Sequence, residues 1–254
     1  MLPLLGNASR RAESVSDELY ASWREAEPSW FAGEASPLPT APTCPHLRLV
    51  QSPLGPVVAK RAHRRARAVR AFDLARSLLA RGLATPEPLA AWPSPHDGAS
   101  ILLTRLAPGH SPWNALREKG GAATRTARAF AETAGHTIAR LHAAGFRHRD
   151  LKEPNLLLTG DPDRGFSLTF LDLDGLFERG DLSRRSRVRD LARLRVSFSS
   201  RAALEAGIRP HHFRRVLHSY LEETPAEFDR YLAATARWAN RHTAHILARG
   251  DEVT

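Results

Sequence analysis

With 254 residues, 42% hydrophobic and 25% charged, the chain has the balance of a globular protein able to bury a sizeable core, which excludes a largely disordered polymer. Its 37 Lys and Arg against 27 Asp and Glu give a formal charge of +10, Arg-dominated and spread along the chain. An anionic partner fits this excess, which an arginine-rich base composition of the genome would produce equally, and charge alone does not choose among nucleic acid, an acidic membrane surface and phosphorylated sugars. Cys44 is the only cysteine, which excludes an intrachain disulfide or a cysteine-based zinc site and points to a reducing compartment.

Met1-Leu2-Pro3-Leu4-Leu5-Gly6 is too short for the apolar core of a signal peptide, and no stretch approaches the ~18 apolar residues of a membrane span. A soluble or peripheral protein of the cytoplasm is expected. Residues 1–45 are rich in Pro, Ala and Ser, with amphipathic fragments around Trp23, Trp30 and Phe31, and are expected to form a loosely structured arm that packs locally through its aromatics. Leu47-Arg48-Leu49-Val50 and Val57-Val58-Ala59-Lys60 flank Ser52-Pro53-Leu54-Gly55-Pro56 and read as a hairpin ending in lysine. Val69, Phe72, Ala75, Leu78 and Leu79 then recur at helical spacing up to Gly82, a C-terminal cap. The Pro-rich segment 86–95 reads as a connection to Ile101-Leu102-Leu103, a buried strand followed by the linker Thr104-Arg105-Leu106. Residues 46–106 make a small β-rich lobe.

Residues 107–254 read as a second, mainly helical lobe. Ala127, Phe130, Ala134, Ile138 and Leu141 form one apolar stripe that ends at Gly145. This helix delivers the chain to His148-Arg149-Asp150-Leu151-Lys152-Glu153-Pro154-Asn155, followed by the strand-like Leu156-Leu157-Leu158. Downstream, Phe170-Leu171-Asp172-Leu173-Asp174-Gly175 is an acidic turn closing an apolar run. Further helical patterns follow, through Phe213, Val216, Leu217, Tyr220 and Leu221 and then from Phe228 to Leu247.

The Asp and Asn of the first segment match the kinase signature H-R-D-L-x-x-x-N, and the second segment matches D-F-G less closely. Phosphoryl transfer needs one loop to hold a carboxylate for the acceptor hydroxyl and an amide oxygen for a metal. Asp150 is therefore the expected base, Asn155 a magnesium ligand, and Asp172 the second ligand carrying the metal against the ATP phosphates. Asp174 remains open as an alternative or additional ligand. Lys152 is placed to neutralise charge on the transferring phosphoryl, and Lys60 matches the strand lysine that pairs the α- and β-phosphates. His148 is expected to hydrogen-bond structurally rather than to act as base. Asp190 either braces the catalytic loop or is an acid favoured near a helix N-terminus.

Two expected parts are missing. No Glu lies between Lys60 and Glu87, so Asp73 is the only acid on the intervening helix that could fix the lysine, and Gly55 stands alone where a G-x-G-x-x-G loop would cover the phosphates.

On these residues the chain resembles the lipopolysaccharide kinases, the group phosphorylating Kdo or heptose of the lipid A inner core. Lys60, the segment Gly82 to Ala90, His148 to Leu158, the D-x-D form of Phe170 to Asp174 and Arg189 to Leu194 carry the resemblance, over roughly residues 47–247. It implies an α+β, protein-kinase-like fold of two lobes, with ATP and magnesium as cofactors. The implied reaction moves the γ-phosphate to a sugar hydroxyl of an anionic glycolipid, with peripheral contact at the inner membrane and no role for nucleic acid. Still open are a Ser/Thr protein kinase, a small-molecule kinase of aminoglycoside or choline type, and a non-catalytic nucleotide-binding regulator or basic nucleic-acid-binding protein on the same scaffold.

Overall fold

The computed structural model describes residues 9–39, 43–95, 97–118, 123–161 and 164–247, so the chain start read above for targeting lies outside the described residues. The chain divides into two units, Met1–Ala107 and Pro108–Thr254.

The first unit is built on an antiparallel sheet. In chain order its elements are β1 (Arg10–Arg11), α1 (Asp17–Ser29), β2 (Ser36–Pro37), β3 (Leu47–Val50), β4 (Val57–Ala62), α2 (Arg67–Ala80), β5 (Pro88–Pro93) and β6 (Ser100–Arg105), and the strands order as β1-β5-β6-β4-β3-β2. The hairpin expected around Gly55 is present, with Val50 opposite Val57, Leu47 opposite Lys60 and Gly55 at φ 90° in its turn. Alternation along β4 buries Val57 and Ala59 and leaves Val58 and Lys60 half-buried on the opposite side.

The fully buried side chains of one sheet face, Val57, Ala59, Ile101 and Leu103, pack with Val15, Trp23 and Trp30. Residues 1–45 are thus not a loose arm where they are described. β1 and β2 pair with β5 and β3, and α1 covers the sheet. The aromatics spaced along this segment supply the apolar area that a helix of modest amphipathicity otherwise lacks. Buried Glu27 fastens α1 from inside, accepting hydrogen bonds from Trp92 Nε1 at 3.3 Å and Ser94 Oγ at 3.1 Å.

α2 lies on the other face. Its Ala68 N–H donates to Ser100 Oγ at 3.1 Å, and Ser100 alternates along β6 with the inward Ile101. The helix ends as its sequence pattern predicts, with Gly82 at φ 67° just beyond it. The segment 86–95 is not merely a connection, because it contains β5. Its prolines sit at the two ends of the strand, where a missing N–H is tolerated, and a bulge between Pro88 and Ala90 absorbs the first.

The second unit contains α3 (Pro112–Glu118), α4 (Ala123–Ala143), β7 (Phe146–His148), β8 (Leu156–Asp161), β9 (Gly165–Phe170), β10 (Leu176–Glu178), α5 (Arg184–Ser197), α6 (Arg201–Glu205), α7 (Pro210–Tyr220) and α8 (Phe228–Leu247), with short 3₁₀ turns at Glu153–Asn155, Leu173–Gly175 and Pro225–Glu227. β7 pairs with β10 and β8 with β9, forming two small antiparallel ribbons among the helices. The predicted stripe on α4 is fully buried. At Gly135 a Cβ would lie 2.4 Å from the Val216 carbonyl oxygen, so glycine is what lets α4 and α7 approach this closely. Trp113, Phe130, Phe198 and Phe213 form a chain of ring contacts through the core, with Phe130 stacked on Phe198 at 5.7 Å.

Candidate active site

The loop from His148 to Asn155 joins β7 to β8, and its backbone is fixed from below by buried polar groups. Asp190, wholly buried in the middle of α5, accepts from the His148 N–H at 3.0 Å through one oxygen and from Arg147 Nε at 3.0 Å through the other. Its position in mid-helix removes the helix-terminus reading and leaves a brace on the strand that opens the loop. His148, also buried, accepts at Nδ1 from the Asp150 N–H at 3.4 Å, which makes Nε2 the protonated nitrogen. Nε2 donates to the Leu171 carbonyl at 3.0 Å, tying the loop to the residue before Asp172.

Within the loop, Asn155 donates from Nδ2 to the Asp150 carbonyl oxygen at 2.7 Å and to Asp150 Oδ2 at 3.0 Å, while Lys152 Nζ lies 3.4 Å from the same carboxylate oxygen. Asp150 is about half exposed and Asn155 is buried. The Leu171 N–H donates to the Asn155 carbonyl at 2.8 Å, so a main-chain bond holds the end of β9 against the loop. His148, Asp150, Lys152, Asn155 and Asp190 are therefore one connected group, and Asp172 and Asp174 follow directly on the segment fastened to it.

Asp172 has φ 51° and ψ 64°, and it is the only non-glycine residue with positive φ among the described residues. Asp tolerates the left-handed region better than most side chains, yet the conformation still costs energy and is retained where the surroundings impose it. Asp174 lies in the 3₁₀ turn that follows. Gly175 closes the turn under the loop, where an added Cβ would stand 3.3 Å from Asp150 N and 3.4 Å from its Cβ, and its carbonyl accepts from Arg149 N at 2.8 Å.

The remaining predicted residues belong to the first unit. Lys60 is on β4, paired across the sheet with Leu47 and Leu102. Asp73, on α2, accepts from Arg10 Nε at 2.9 Å, an ion pair with a residue that the sequence reading left in the arm.

Sequence reasoning passed over two groups beneath the loop. Glu153 is buried, accepts from the Trp113 N–H at 3.1 Å and so caps the start of α3; desolvation pushes its carboxyl pKa up, against the opposing pull of these hydrogen bonds. His142 lies on α4 with Nδ1 2.9 Å from Tyr220 Oη and Nε2 3.5 Å from Asp190. Its complete burial lowers its pKa, against the opposing pull of Asp190. Glu153 lay within the motif and was legible as a turn residue only, whereas nothing in the local spacing of His142 indicates a partner 78 residues away.

Among the described residues no group of three or more His, Cys, Asp or Glu could hold a metal by itself. The amide of Asn155 and the carboxylates of Asp172 and Asp174 are a donor type that would suit magnesium, which commonly takes one or two carboxylates plus phosphate oxygens and water.

An antiparallel-sheet lobe, a helical lobe and a braced H-R-D loop facing an acidic turn define a protein-kinase-like phosphotransferase. A family model described as the lipopolysaccharide kinase (Kdo/WaaP) family matches residues 58–220. The chain belongs to that family and is an ATP-dependent kinase. A solved structure of WaaP in complex with acyl carrier protein shares the fold, with TM-score 0.65 and 24% identity over 91% of this chain and 98% of that one. A search of curated proteins finds no match.

Proposed function

We propose that the chain transfers the γ-phosphate of ATP to a hydroxyl of Kdo or heptose in the lipid A core. The observation that carries this reading is the loop geometry: both Nδ2 contacts of Asn155 go to Asp150, which orients the base and leaves Oδ1 as the one amide atom suited to a cation. Asp150 accepts the proton of the attacking hydroxyl, and Lys152 beside it balances negative charge as the phosphoryl group moves. Asn155 and Asp172 would hold magnesium, which when bound neutralises the β- and γ-phosphates. Lys60 would hold the α- and β-phosphates.

The family description and the +10 charge support an anionic sugar acceptor reached at the cytoplasmic face of an inner membrane. Among the described residues no helix is long and apolar enough to cross a membrane, which suits peripheral contact.

The test offers labelled ATP with lipid A-core glycolipid, with a generic protein substrate and with an aminoglycoside. Label is expected in the glycolipid alone, and Asp150→Asn is expected to reduce transfer by about 10²–10⁴-fold. Unchanged transfer in that variant would remove Asp150 from the mechanism; label in protein or aminoglycoside instead would overturn the acceptor.

A further inference from the structure

One concavity of the second unit lies away from the loop from His148 to Asn155. It lies between the first half of α5 and the middle of α8, has a volume of about 730 Å³, and is lined by Arg184, Arg185, Arg189, Arg237 and Arg241. That volume is in the range of small-ligand sites. The five arginines come from two helices, and among the described residues none of them forms an ion pair with a carboxylate. The single acid in the lining, Glu227, is already 3.7 Å from Arg230. The N-terminus of α5 also opens here, capped by Ser183, whose Oγ accepts from Ser186 N at 3.4 Å. Its dipole adds partial positive charge to the arginines.

Five like charges around one hollow repel each other, and an ordinary protein surface intersperses acids to relieve this. An anion offered to planar forks gains paired, charge-assisted hydrogen bonds, for which Arg suits phosphate and carboxylate better than Lys. Trp238 lines the same wall between the arginines of α8.

The cavity is also linked to the catalytic loop. Arg193 stacks its guanidinium over Trp238 at 4.8 Å and lies 3.9 Å from Asp190, the brace of His148. Arg193 and His242 both sense the negative charge of Asp150. A ligand in the cavity beside Trp238 is therefore one side chain removed from Arg193 and His242, both within electrostatic range of Asp150.

We propose that this arginine cavity is the acceptor subsite, binding a phosphate or carboxylate group already carried by the sugar acceptor while its hydroxyl is presented to the loop. The proposal rests on the glycolipid-kinase reading above and names the part of the acceptor that the chain grips. Affinity then comes from charge that the acceptor already has, and the reaction adds a further phosphate beside it.

Binding is measured without ATP, using lipid A-core glycolipid in neutral detergent micelles and the full chain. The Arg185→Gln/Arg237→Gln/Arg241→Gln variant should bind at least about tenfold more weakly than wild type, the equivalent of one charge-assisted contact. The corresponding triple Lys variant keeps the charge and should recover part of the loss, which separates recognition from misfolding. Dephosphorylated glycolipid should bind wild type more weakly than the phosphorylated form. Under turnover the Gln variant should raise KM for glycolipid and leave KM for ATP unchanged.

Equal affinity of wild type and Gln variant for the micellar glycolipid overturns the proposal, whether or not transfer occurs. Loss of binding confined to vesicles of phosphatidylcholine and phosphatidylglycerol would make the cavity a membrane-docking face, and loss confined to acyl carrier protein would make it a protein-docking face. Either result overturns the acceptor subsite. Glycolipid that binds through the arginines and yet is not phosphorylated would sink the reading of it as the phosphorylated acceptor and spare the cavity as its binding site.

Discussion

Asp172 combines a negative charge with a left-handed backbone, and the two can be separated by substitution. Asn shares the tolerance of Asp for this conformation but lacks the charge. Asp172→Asn is therefore expected to fold normally, keep its melting temperature without ligand, and lose the magnesium-dependent part of the stabilisation by ATP in a thermal-shift assay. Retention of that part would transfer the ligand role to Asp174. Gly175 offers a purely steric counterpart. Gly175→Ala places a methyl group 3.3 Å from Asp150 N, so the loop must give by a few tenths of an ångström. A fall in kcat of tenfold or more is expected with little loss of stability, because misplacement of that order is costly for Asp150 in its proposed role as base.

At this scale the sequence was most legible where chemistry demands a spacing, as from Asp150 to Asn155. It was least legible where a partner comes from a distant segment. Nothing near Asp73 announces Arg10, and nothing near His148 announces that its backbone N–H is held by Asp190, 42 residues on.

Among the elements, α5 joins the catalytic loop to the outer helices through one carboxylate. Asp190→Ala leaves Arg147 and the His148 N–H without their acceptor in a buried setting, and a loss of about 3–5 kcal/mol in urea unfolding is expected. Asp190→Asn retains an acceptor oxygen and should lose less. A second element-level prediction concerns α7, whose first turn is closed by His212 accepting at Nδ1 from Arg209 N at 2.9 Å. Burial first, then the positive neighbours His211, Arg215 and Arg209, lower the His212 pKa from 6.5 to about 4. The folded state thus holds this ring neutral while the unfolded chain protonates it below 6.5. The stability from His212 is full above that pH and is lost as pH falls towards 4, by up to about 3 kcal/mol. His212→Gln keeps an acceptor for the cap and should flatten this part of the stability profile between pH 7 and 4.

The helices and the hairpin were legible because their apolar periods run unbroken for several turns or strands. β5 was not, since Pro88 and Pro93 at its ends look like loop residues until the buried Leu89 to Trp92 is seen between them. β10, three residues long, carries too short a pattern to detect.

For the whole molecule, charge is the property that acts at a distance. With +10 overall and five guanidiniums around one cavity, association with an anionic glycolipid should weaken steeply as salt is raised past about 0.1 M, where the screening length falls to roughly 10 Å. KM for ATP should change less, because the groups proposed to hold nucleotide are few. The division into two lobes was legible from the switch of hydrophobic period near residue 106. The place of the first 45 residues was not, because burial of Trp23 and Trp30 depends on a sheet assembled from later strands.

That early helix bears on what is inherited and what can stand alone. The family match starts at residue 58, one residue into β4, and stops at 220, where α7 ends. The stretch of shared ancestry thus omits β3, on which β4 zips, and α1, whose Glu27 is plugged into Trp92 and Ser94. It also omits α8, whose Ala239 and Trp238 cover Ala192 and Val196 on α5. The recognisable pedigree is therefore shorter than the smallest piece that can hold itself together. A fragment cut to residues 58–220 would present bare tryptophan pockets and an open strand edge to water, and should be recovered as aggregate where the full chain is recovered as a monodisperse species in size-exclusion chromatography.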